Sequence, residues 1–130
     1  MAARIFTRVA TVHPATVTTH AGEIRTGQLR DVALGGFFIT GLFLPLASRV
    51  AWEIELSACA HIRGEGVVTR NSRDGIAIAL DALADYESAS HLRNLVLYNT
   101  RTRKETNQVV GEISRFSGPK IVDLRAPPPT

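Results

Sequence analysis

"RDVALGGFF", residues 30–38, decides how this chain is read. A charged pair, Arg30-Asp31, gives way to small and branched residues, then to a glycine pair and two phenylalanines. Glycine opens backbone conformations closed to other residues, and it lets a neighbour approach without a Cβ in the way. Gly35-Gly36 therefore mark either a sharp turn or a place where something lies against the backbone.

On both sides of the pair the sequence reads as strand. Residues 24–34 set Ile24, Leu29, Val32 and Leu34 among charged and polar positions, and "FFIT" (37–40) is a short apolar strand. Upstream, residues 8–20 alternate weakly, with Val9, Val12, Ala15 and Val17 among threonines. Pro14 within that run predicts an edge strand or a bulge, because proline has no N–H to give a ladder. "HAGE" (20–23) is a turn, so the two runs make a hairpin. Downstream, "VAWEIEL" (50–56) puts Val50, Trp52, Ile54 and Leu56 on one face, a clean period of two. "HIRGEGVVTR" (61–70) and "IAIAL" (76–80) bring the count to six strands, a spacing that predicts a small antiparallel barrel or sandwich.

The period then changes. Asp81 or Asp85 caps a helix that runs to about Tyr98, with Ala89, Leu92, Leu95 and Val96 as its apolar stripe. "TRTRKE" (100–105) reads as a basic hinge, and "NQVVGEISRF" (107–116) as a weaker helix through Val109, Ile113 and Phe116. From Gly118 the chain reads as an extended or disordered tail ending in "APPPT".

With 130 residues, 45% hydrophobic and 21% charged, the chain is expected to form one domain around a modest core. Fifteen basic residues against twelve acidic leave +3, too little to announce nucleic acid by itself. Placement says more, since Arg4, Arg8, Arg25 and Arg30 all fall in the first quarter. The single cysteine, Cys59 in "LSACAHI", excludes an internal disulfide and reads as a small buried or strand-end residue. The longest apolar stretch, "GGFFITGLFLPLA", is short and broken by Gly41 and Pro45, so no membrane insertion is expected. No apolar segment of an export signal follows the N-terminal arginines, and a reduced cytoplasmic setting is expected.

No catalytic set emerges. His13, His20, His61 and His91 share no metal-ligand spacing. Ser57 and Ser72 lack a nearby base or glycine elbow. "GEGVV" lacks the rest of a phosphate loop. A non-enzyme is expected. What remains is "RIFTR", with Arg4 and Arg8 four apart, and the acidic-glycine stretch "DVALGG". Arginine offers a planar fork of donors that grips phosphate or guanine and stacks on flat rings. A carboxylate can accept from a guanine edge or fix a neighbouring arginine.

Together these stretches resemble the PilZ domain family: "RIFTR" matches its RxxxR element and "DVALGG" its (D/N)x(S/A)xxG element. The likeness runs from about Arg4 to Asn99. It implies a mainly β fold, a six-stranded antiparallel barrel with a C-terminal α-helix. Residues 1–7 would be a flexible N-terminal arm, 8–99 the barrel and helix, and 100–130 a C-terminal extension. Many PilZ domains are bacterial second-messenger receptors for cyclic di-GMP. The resemblance implies that Arg4 and Arg8 clasp phosphate and guanine, while Asp31, Ala33, Gly35 and Gly36 line the opposite wall. It implies no cofactor beyond that ligand, and a downstream protein partner it does not identify. The ligand is expected to order the mobile arm, drawing Arg4 and Arg8 onto the barrel beside Asp31, and so to change the surface that partner meets.

Two departures from the motif matter. Ala33 stands where a serine is usual, removing a hydroxyl worth about 1 kcal/mol of hydrogen bonding. Weakened binding is expected. Ala3 stands where many relatives that take a ligand dimer carry another arginine, so one bound ligand is expected. Arg70 reads either as reaching the pocket or as a structural residue on the outer face. The alternative is a protein-protein adaptor with the same fold and no nucleotide. A nucleic-acid-binding barrel would need aromatic platforms, whereas Trp52, Phe37, Phe38 and Phe43 read as core.

Overall fold

The computed structural model describes residues 6–116 and 120–121. Six strands, β1 (Val9–Thr19), β2 (Ile24–Ala33), β3 (Gly36–Thr40), β4 (Arg49–Ser57), β5 (Ala60–Ser72) and β6 (Gly75–Leu83), carry most of the chain. They lie in the order β3-β2-β1-β4-β5-β6, all neighbours antiparallel, and β3 pairs back with β6. The sheet thus closes into the expected six-stranded antiparallel barrel, which leaves its six main strands no long free edge.

Alternation decides which side chains fill the barrel. Val17, Leu29, Val32, Ile39, Ile54, Ile62, Ile76 and Ile78 are almost wholly buried and belong to one contiguous core. Trp52 meets Phe37 edge to face, with ring centroids 4.8 Å apart. Pro14 lies in the middle strand of the β2-β1-β4 group, not on an outer edge. It is tolerated because β1 bulges between Ala10 and His13 and its ladder to β4 begins only at Ala15. Phe43, expected in the core, is 57% exposed in the loop between β3 and β4. Cys59 is exposed in the turn after β4, so of its two readings the strand-end one holds.

Helix α1 (Tyr86–Tyr98) starts at Asp85, whose carboxylate accepts from the Ser88 amide at 2.7 Å. The buried Ser88 hydroxyl in turn accepts from the Arg63 amide of β5 at 3.0 Å. That tie sets the helix down with Ala89, Leu92, Leu95 and Val96 facing the core. Helix α2 (Arg103–Arg115) begins inside the stretch read as a hinge. The reason is local: Thr102 Oγ1 accepts from the Glu105 amide, and Glu105 reaches back to the Arg101 amide. Val109 is fully buried, and Ile113 and Phe116 pack against the same core. Lys120–Ile121 form a short strand, β7, parallel to β6 at Ala82–Leu83.

Candidate functional site

The Gly35-Gly36 pair settles its own question. Neither residue has a positive φ, so neither is required for a left-handed turn. Both are there for close approach, and the neighbours are parts of the protein. A Cβ on Gly36 would sit 2.5 Å from the Ile78 carbonyl oxygen of β6, where β3 and β6 pair to close the barrel. A Cβ on Gly35 would sit 2.8 Å from the Phe6 ring. The side-chain-free wall expected here is therefore partly covered by Phe6.

Phe6 and Thr7 are docked, while residues 1–5, and Arg4 with them, lie outside the described residues. The Phe6 ring meets Phe116 at the end of α2 edge to face, with centroids 5.2 Å apart. The Thr7 amide and hydroxyl donate to the two carboxylate oxygens of Glu112 at 2.9 Å and 2.5 Å. Arg8 follows and points at Asp31, with Nε 3.7 Å from Oδ1. The other oxygen of Asp31 takes Arg30 Nε at 3.3 Å. Asp31 Oδ1 is buried and has no hydrogen-bond partner among the described residues, so it retains acceptor capacity.

Beside this cluster a pocket of about 320 Å³ opens on the barrel wall. Arg8, Ala33, Gly35 and Gly36, four of the six expected site residues, line it, together with Phe6 and with Thr69 and Ala77 of β5 and β6. Asp31 is not part of the lining, but its carboxylate faces Arg8, which is. Four of the six residues that the sequence singled out thus line one pocket, and Arg4 lies outside the described residues. Arg70 does not line the pocket. It lies over the Phe38 ring at 5.6 Å, with Arg30 over the same ring at 4.0 Å. Phe38 is buried on the outer face beneath those guanidinium groups.

Sequence reading missed Phe6, Thr7, Glu112 and Phe116. Phe6 left a trace, an apolar residue between two arginines. Glu112 left none, since its contact joins residues 105 positions apart. Among the described residues, no group of three histidine, cysteine or acidic side chains is placed to hold a metal ion. No helix there is long and apolar enough to cross a membrane.

A PilZ domain of CeSA from a cellulose-synthesizing bacterium superposes with a TM-score of 0.53 and 19% identity, covering 68% of this chain and 93% of that domain. The fold is that of a PilZ domain. The Bacillus subtilis inhibitor of motility, MotI/DgrA, superposes with a TM-score of 0.60 and 17% identity over 78% of this chain. The match spans only 55% of MotI/DgrA. No family model matches the sequence, and no curated protein does. At these identities the likeness carries the PilZ architecture, and the site must be argued from its own residues.

Proposed function

We propose that this PilZ-fold protein is a receptor for cyclic di-GMP that performs no chemistry and passes the binding event to a protein partner. The observation that supports it is the meeting of Arg8, Ala33, Gly35 and Gly36 around one pocket, with Asp31 facing Arg8, although they come from two separate stretches of sequence. The pocket stands at the lower end of small-ligand sites, which run from about 300 to 1,000 Å³. A cyclic dinucleotide would seat one base there, against the Phe6 ring that rests on Gly35. Its phosphates would lie outside, against Arg8 and Arg4. Asp31 Oδ1, buried and without a hydrogen bond among the described residues, would accept from the guanine edge once Arg8 turns from it to the phosphates.

Titration calorimetry with cyclic di-GMP on the folded protein tests the reading. Binding at one site per chain is expected, abolished by Arg4→Ala. No heat at high ligand concentration refutes it.

A second reading, an adaptor with no nucleotide, draws on one specific observation. Phe6 already rests on Gly35, and Ala33 beside it offers no hydroxyl. Under that reading Arg4→Ala changes nothing, and the pocket takes a partner's side chain.

A further inference from the structure

Glu112 is an unexpected place to find a carboxylate. It is 6% exposed on α2, and burying a carboxylate is costly unless its oxygens are hydrogen-bonded. No cation pairs with it among the described residues. Both oxygens go instead to a single residue, Thr7, one through the backbone amide and one through the hydroxyl. Thr7 sits between Arg4 and Arg8, directly before the arginine that faces Asp31. Phe6, on its other side, is wedged between Gly35 and Phe116. The two residues preceding Arg8 are therefore fixed from α2, an element outside the barrel.

We infer that Glu112 is a positioning residue for ligand capture. Its carboxylate holds the arm in register, so that Arg8 meets Asp31 at the pocket mouth before any ligand arrives. An arm fixed in advance loses less freedom on binding, and affinity rises accordingly. The same contact makes α2 the element that feels the ligand. Whatever tightens the arm on the barrel tightens α2, and a partner that pulls α2 away weakens binding by the same factor. This inference rests on the receptor reading and names the residue that organises its site.

The test pairs amide hydrogen exchange at Thr7 with cyclic di-GMP titration, for the wild type, Glu112→Ala, Glu112→Gln and Thr7→Ala. Glutamine retains an oxygen for the Thr7 amide and offers an N–H to the hydroxyl. Glu112→Ala is expected to speed Thr7 exchange more than tenfold and to weaken binding about tenfold, the size of a lost hydrogen bond to a charged group. Glu112→Gln should keep both within about threefold of wild type, and Thr7→Ala should fall between. Should Glu112→Ala fail to fold, Thr7→Ala and Glu112→Gln decide by the same readouts. Unchanged Thr7 exchange, or faster exchange with unchanged affinity, overturns the inference alone. A wild type that binds no cyclic di-GMP overturns the receptor reading and the inference with it.

Discussion

Gly36→Ala tests whether the glycine pair serves the barrel or the ligand. The new methyl would stand 2.5 Å from the Ile78 carbonyl oxygen and 3.5 Å from the Ala79 Cα. Both neighbours are backbone in β6, so neither can swing aside as a side-chain end would. Gly36 pairs with Ala79 at one end of the β3–β6 ladder, and relief requires the barrel to part there. Overpacking of this kind costs about 1–3 kcal/mol, sometimes more. Against it stands about 0.4–1 kcal/mol of stabilisation from the stiffer unfolded chain. The net loss is then roughly 1–2 kcal/mol, which for a chain of this size lowers the Tm by about 4–10 °C. Gly35→Ala meets only the partly exposed Phe6 ring, a side chain that can shift against Phe116 at less cost than backbone, so its Tm should fall by about 2 °C or less. Thermal melts followed by circular dichroism read both variants. Equal melting of Gly36→Ala and wild type would refute the close-approach account and return the pair to a role in ligand contact alone.

Ala33→Ser adds the hydroxyl that the motif usually supplies, on a residue lining the pocket. Cyclic di-GMP affinity should rise about fivefold, the worth of one hydrogen bond; titration showing no gain would place Ala33 away from the ligand. Arg8→Ala should lose ligand binding while costing less than about 0.5 kcal/mol in urea unfolding, because exposed ion pairs contribute little and this side chain is 57% exposed. A large loss of stability would make Arg8 structural instead. Asp85→Ala removes the cap of α1 and its contact with Arg63, and should cost about 1 kcal/mol, read as a Tm lower by several degrees.

The barrel was legible because a strand with one buried face must alternate. Val50, Trp52 and Ile54 announce that face without any help from their partners. Helix α1 was legible for the same kind of reason, its stripe and its Asp85 cap both being local. The start of α2 was legible and missed: Thr102 and Glu105 have the T-x-x-E spacing of a helix start, which the neighbouring basic residues disguised as a hinge. Phe43 was misread because an apolar residue between two glycine- and proline-marked turns looks the same whether it faces inward or outward. At the site, Arg8, Ala33, Gly35 and Gly36 line one pocket, but the purpose of the glycines did not follow from composition. What lies against Gly35 comes from Phe6 before the first strand, and what lies against Gly36 from β6, some forty residues further along the chain. Glu112 belongs to the same class: only the folded chain brings it to Thr7.

The shortest strand of the barrel has one more consequence. Five residues of β3 cannot run the whole length of the nine-residue β6, and β3 pairs with it only from Gly75 to Ala79. Ala82 and Leu83, beyond that reach, are met instead by Lys120 and Ile121. Lys120 and Ile121 therefore work as a hem, stitched over a stretch of β6 that β3 does not reach. A version of the protein trimmed after Phe116 would keep its core yet offer that fringe to its own copies, and self-association would be the first symptom.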